Sequence, residues 1–154
     1  MRKSTNHIII HCSATKPSMD IGFEEINRWH KNNGWLSCGY HKIIRRDGTI
    51  EQGRADDEVG AHCRGKNSDS ISVCMVGGVS EQDIEQWEDN FEGDQWTSLK
   101  AVIINLHKKY PDAEISGHYK WSDTKKCPSF DVEVWKKIEL DFIEGDYLPD
   151  DERD

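Results

Sequence analysis

The chain has 154 residues, enough for one domain with a real core and too few for two comfortable ones. Acidic residues outnumber basic ones 29 to 20, for a net charge of −9. That balance argues against nucleic acid as a direct partner, because duplex binding takes its affinity from Lys and Arg on phosphates. The longest apolar stretches, Ile8–Ile10 and Ala101–Ile104, fall far short of the roughly 20 residues of a spanning helix, so no membrane partner is expected.

Arg2 and Lys3 carry the charge of a signal peptide, but the apolar run behind them is only Ile8–Ile10, which predicts a chain made without an export address. That run, followed by His11, predicts a short central strand, apolar on both faces, with a His at its C-terminal end. After the loop Ser13–Asp20, the spacing of Phe23, Ile26 and Trp29 predicts a helix with Asp20 as its cap and Asn32-Asn33-Gly34 as its stop. Tyr40–Arg46 reads as a strand in which His41 faces away from Tyr40, and Asp47-Gly48 before Thr49-Ile50-Glu51 is a hairpin signal. Ser70–Val76 reads as a further strand, ended by Gly77-Gly78, and the acidic stretch Ser80–Glu92 as a surface loop. Trp96, Leu99, Val102, Ile103 and Leu106 mark a long amphipathic helix. Ala113–Gly117 is a short strand leading into His118, and a last helix carries Trp135, Ile138 and Phe142 on one face.

Strands and helices interspersed along the whole length define the α/β class. The expectation is a single domain over residues 1–145, with a mixed central sheet of about five strands flanked by about three α-helices. Residues 146–154 read as an acidic tail.

Five cysteines, an odd number without a CxxC pair, do not form a disulfide framework; Cys12, Cys38, Cys63 and Cys74 read as small buried hydrophobes. A catalytic zinc is held by three protein donors that converge from rigid elements. His11 and His118 each end a predicted strand, and Cys127 follows His118 by a loop short enough to return beside it. With seven His in the chain, spacing alone leaves two readings open: a metal site, or satisfied core histidines and a buried thiol.

Longer motifs carry more. His11-Cys12-Ser13-Ala14-Thr15-Lys16-Pro17-Ser18, Trp29-His30-Lys31, Gly34-Trp35-Leu36, Gly39-Tyr40-His41, Arg46-Asp47-Gly48-Thr49, Gly77-Gly78 and Cys127-Pro128-Ser129-Phe130-Asp131 follow one another in order. Together they resemble the type-2 zinc N-acetylmuramoyl-L-alanine amidases, a family related in fold to the peptidoglycan recognition proteins, and the likeness runs over about Ile8–Phe142. The resemblance implies one zinc ion held by His11, His118 and Cys127, with Tyr40 and Lys125 as catalytic helpers and His62 as a substrate contact. The loop between His118 and Cys127 is one residue longer than the family's, so Lys126 stands beside Lys125 as the other candidate. The implied reaction is hydrolysis of the amide between the lactyl group of N-acetylmuramic acid and L-alanine in peptidoglycan, by a monomeric phage endolysin. Such an enzyme waits in the host cytoplasm and reaches the periplasmic wall only after the membrane is permeabilised. Phage members of the family also bind and inhibit their own single-subunit RNA polymerase, which makes it a further expected partner through surface including Met1–Asn6.

Two neutral imidazoles and one thiolate leave a zinc site with a net charge of about +1, so an ammonium at Lys125 would restore positive charge where an oxyanion develops. Two alternatives compete: a peptidoglycan-binding module without catalysis, and a cysteine hydrolase pairing Cys127 with His118. Retention of Cys127 and Tyr40 together speaks against the first, and Pro128 after the Cys against the second.

Overall fold

The computed structural model describes residues 1–140. The expected domain limit at residue 145, the acidic tail 146–154 and Phe142 lie outside the described residues. The described elements are β1 (His7–Cys12), α1 (Phe23–Asn32), β2 (Lys42–Ile44), β3 (Ile50–Gln52), β4 (Ser70–Met75), α2 (Gly93–Lys109), β5 (Glu114–Gly117) and α3 (Val132–Glu139). Short 3-10 turns cover Asn67–Asp69 and His118–Trp121. One mixed sheet has the order β3-β2-β4-β1-β5. β1 runs parallel to both β4 and β5, β2 is parallel to β4, and β3 is antiparallel to β2. This is the expected α/β architecture. No helix among the described residues is long and apolar enough to cross a membrane.

All six residues of β4 are buried, and its sequence, Ser-Ile-Ser-Val-Cys-Met, alternates in kind. Successive strand side chains point to opposite faces. Ile71, Val73 and Met75 join Ile8 and Ile10 of β1 and pack against Leu99, Val102, Ile103 and Leu106 of α2 and Val132 and Trp135 of α3. Each such side chain contributes roughly 1.5–3 kcal/mol through burial, which makes this layer the main core. Ser70, Ser72 and Cys74 point the other way, in register with His7, Ile9 and His11. Cys74 joins a smaller cluster with Ile21, Ile26 and Ile43 under α1, whereas the two serines meet histidines.

The hairpin forms as expected at Asp47-Gly48. Gly48 takes φ +88°, Arg45 N–H donates to the Thr49 carbonyl, and Thr49 N–H donates to Asp47 Oδ1 at 2.9 Å. The strand expected over Tyr40–Arg46 narrows to Lys42–Ile44, with backbone bonds from Gly53 and Arg54 prolonging the pairing to His41 and Tyr40. Asp20 does not cap α1. Gly22 occupies the cap position, its N–H donates to Glu25 Oε2, and Phe23 N–H donates to Glu51 Oε1 of β3, each at 2.9 Å. Asp20 instead pairs with Arg45 at 3.4 Å. The stretch Ser80–Glu92 is mostly surface, as expected, but Asn90 reaches inward: its amide donates to the Val79 carbonyl and its Oδ1 accepts Gly78 N–H. On α3, Trp135 is buried as expected and Ile138 is exposed; Val132 and Leu140 share the inner side instead.

Candidate metal centre and cleft

β1 and β5 are parallel neighbours, so their C-terminal ends lie on the same sheet edge. The register pairs Ile10 with Gly117, which sets the next residues, His11 and His118, side by side with ring centroids 4.5 Å apart. Cys127 is returned to this edge by its backbone. Tyr119 N–H donates to the Cys127 carbonyl at 2.9 Å, Ser129 N–H closes a turn onto Lys126, and the Cys127–Pro128 peptide is cis. Ser129 Oγ then donates to the Gly78 carbonyl at 2.7 Å. Gly78 has φ +103°, and a Cβ there would stand 2.9 Å from the Cβ of Cys12, so a side chain would push β1 away from this turn.

The donor atoms of His11, His118 and Cys127 all lie within 4.8 Å of one another. His11 and Cys127 are buried and His118 is half-buried, which leaves one side of the cluster open to the cleft. Cys12 N–H donates to Cys127 Sγ at 3.0 Å. Burial, together with the neighbouring imidazoles of His62, His118 and His41, pushes His11 well below the ordinary histidine value. Burial, with Lys125 nearby, also lowers His118. Both rings are therefore neutral at pH 7, the form that donates a lone pair to a metal. Burial pushes the Cys127 thiol well up, so a thiolate there calls for an adjoining cation, which a divalent metal supplies. Two imidazoles and one sulfur with an open side are a donor set suited to catalytic zinc.

A cleft of about 930 Å³ opens beside this cluster, lined by Trp35, Tyr40, His62, His118, Trp121 and Lys125 among others. Lys125 thus shares the cleft with His118, whereas Lys126 lines a separate depression with Trp87 and Phe130. The Tyr40 ring lies 5.2 Å from that of His11, and burial raises its phenol well above the ordinary tyrosine value, so it stays a neutral donor. Trp121 is steadied by a bond from its Nε1 to Ser116 Oγ and by Lys66 over its ring at 4.2 Å.

The structure therefore places four of the six singled-out residues, Tyr40, His62, His118 and Lys125, on the cleft wall, and joins His11 and Cys127 to them through the donor cluster shared with His118. It also draws in residues that the sequence reading left aside. His41, expected on the face opposite Tyr40, is fully buried on the same side: its Nδ1 meets Ser72 Oγ at 3.0 Å and its ring lies 5.9 Å from His62. His41 shares its face with Ile43, two residues on, as alternation requires, and it is Tyr40, ahead of β2, that turns to that same side. His30, on α1 as expected, accepts the Gly39 N–H at Nδ1 (2.8 Å) and holds the segment that carries Tyr40. Cys12 supplies a backbone donor to Cys127, a contact that no side-chain pattern announces.

Residues 1–130 match the family model of N-acetylmuramoyl-L-alanine amidase. The chain is similar to the endolysin of Escherichia phage T7, at 46% identity over 140 residues, covering 90% of this chain and 91% of that protein. It is similar at the same identity and coverage to the endolysin of Klebsiella phage KP32. Among solved structures, the endolysin N-acetylmuramoyl-L-alanine amidase LysCS from Clostridium intestinale superposes with a TM-score of 0.74 at 29% identity, over 88% of this chain and 83% of that one. Drosophila PGRP-LB superposes with a TM-score of 0.67 at 22% identity, over 88% of this chain and 79% of that one, a likeness of fold.

Proposed function

The chain belongs to the N-acetylmuramoyl-L-alanine amidase family, and we propose that it is a phage endolysin that cuts peptidoglycan at a zinc centre held by His11, His118 and Cys127. The bond broken is the amide between the lactyl carbonyl of N-acetylmuramic acid and the amine of L-alanine. The observation that carries this reading is the convergence of the three donors within 4.8 Å at the head of the cleft. Zinc, when bound there, supplies Lewis acidity toward the scissile carbonyl and toward a water.

The chain's own groups do the rest. His11 and His118 stay neutral through burial and so remain free to donate. The Cys12 N–H on Cys127 Sγ disperses thiolate charge and sets its direction. Lys125, on the cleft wall beside His118, brings an ammonium to the place where negative charge develops as the carbonyl becomes tetrahedral. Tyr40 offers a hydroxyl that donates to the same oxygen or orients the attacking water. Trp35 and Trp121 give the cleft flat apolar walls for a sugar ring or a peptide stem.

Digestion of purified peptidoglycan, with and without chelator, tests this directly by product mass. The expected products are intact glycan strands and free stem peptides beginning with L-alanine, lost on chelation and restored by zinc. Activity that survives complete removal of metal, or products cut within the glycan, would refute it. A cysteine hydrolase at Cys127 would survive chelation, so the same assay separates that alternative.

A further inference from the structure

His62 is 9% exposed although it borders the cleft, and both of its ring nitrogens are engaged inside the protein. Its Nδ1 lies 2.9 Å from His11 Nε2, and its Nε2 lies 3.0 Å from Ser70 Oγ. We propose that His62 is a positioning residue for the metal ligand His11, forming with Ser70 a relay that fixes which nitrogen of His11 faces the metal. The proposal rests on the reading of His11 as a ligand.

The assignment follows from counting protons. Between two neutral imidazoles 2.9 Å apart, one nitrogen carries the hydrogen and the other accepts it. His11 Nε2 is taken up by this contact, so a metal can be met only by Nδ1, which must then hold a free lone pair. The proton of His11 therefore sits on Nε2 and is donated to His62 Nδ1. His62 in turn carries its proton on Nε2 and donates it to Ser70 Oγ. A ligating histidine whose other ring nitrogen is held in this way is fixed in tautomer and ring orientation, and its donor nitrogen becomes more basic.

The surroundings hold His62 in this post. Asn67 Oδ1 accepts the backbone N–H of both His62 and Cys63, each at 2.9 Å. At Gly60 a Cβ would stand 2.7 Å from His62 Cδ2 and 2.8 Å from His41 Cε1, so only glycine lets the two rings approach there. His41 behind it is itself fixed, by Ser72 Oγ at 3.0 Å and by the Glu58 carbonyl at 2.8 Å from its Nε2. Ser70 and Ser72 are the first two polar positions of the alternating strand β4, which explains polar residues at fully buried sites.

The test uses wild type together with His62→Leu, His62→Asn and Ser70→Ala. Zinc affinity is read by chelator competition, and binding of soluble peptidoglycan fragments is read on metal-free protein. His62→Leu should weaken zinc binding by about 10- to 100-fold and leave fragment binding unchanged. His62→Asn, whose Oδ1 can take the place of Nδ1, should recover most of that loss, and Ser70→Ala should show a smaller loss of the same kind. Nitrogen-15 NMR of the metal-free wild type should find both His11 and His62 in the Nε2–H form, a measurement that needs no variant to fold. His11 in the Nδ1–H form would overturn the proposal. So would a His62→Leu protein with wild-type zinc affinity and weakened fragment binding, the signature of a substrate contact. A wild type that binds no zinc would overturn the metal reading itself, and is distinguished from both.

Discussion

The two faces of the central sheet are built from the same strands and do opposite work. On the face toward α2 and α3, Ile71, Val73 and Met75 of β4 meet Ile8 and Ile10 of β1, side chains that need no hydrogen-bond partner. On the other face, Ser70, Ser72 and Cys74 stand in register with His7, Ile9 and His11, and the buried His62 and His41 beside the two serines have both ring nitrogens hydrogen-bonded. The first face supplies stability that depends on shape and volume. The second holds orientation, because a buried imidazole with both nitrogens bonded has one ring position and one tautomer. A single alternating strand thus separates what holds the domain together from what aims His11.

Variants on each face should separate these roles. Cys127→Ser should have the largest effect, losing stoichiometric zinc and lowering turnover about a thousandfold or more, read by metal content and peptidoglycan digestion. Lys125→Ala should keep zinc and cost about 10²–10³-fold in turnover, whereas Lys126→Ala, outside the cleft, should be mild; the reverse ranking would move the ammonium to the other lysine. Ile71→Ala, on the core face, should cost about 2–5 kcal/mol in urea unfolding while the folded fraction keeps its zinc affinity. Ser72→Ala, one residue away on the other face, removes the hydroxyl that accepts the His41 backbone N–H and donates to its Nδ1, and should cost about 1–3 kcal/mol. If Ile71→Ala weakened zinc binding as much as it weakened the fold, the division between faces would fail.

Between pH 8 and about pH 5, acid should act through the buried histidines. His11, His62, His41 and His118 are all held below the ordinary value of 6.5, burial being the largest cause for each. Below about pH 6.5 the unfolded chain therefore binds more protons than the folded one, and stability falls as pH falls. Above that value their protonation no longer differs between the two states and this contribution is flat. Urea midpoints of metal-free protein between pH 8 and about pH 5 should trace this decline, and a flat profile would mean that the histidines are not held neutral.

Some of this was legible in the sequence and some was not, for definite physical reasons. The strand expected over Ser70–Val76, which forms over Ser70–Met75, the hairpin at Asp47-Gly48 and the amphipathic spacing of α2 are local signals, and each formed. The cap of α1 was not local: Glu51 reaches Phe23 from β3, and no pattern around Asp20 records it. Tyr40 and His41 share a side because the strand expected over Tyr40–Arg46 begins only at Lys42, and Tyr40 ahead of it does not follow the alternation that places His41 with Ile43. The convergence of His11 and His118 depends on β1 and β5 being parallel neighbours, a pairing across most of the chain that spacing does not encode. There the ordered motifs carried the assignment, and the register supplies its geometric reason.

X-ray absorption at the zinc edge of the loaded wild-type protein puts the donor set to the most direct test. The account predicts one sulfur at about 2.3 Å and two imidazole nitrogens at about 2.0–2.1 Å, with a lighter atom completing four-coordination. Cys127→Ser should abolish the sulfur shell. A wild-type spectrum without sulfur, or a sulfur shell that survives in Cys127→Ser, would contradict a centre built from His11, His118 and Cys127.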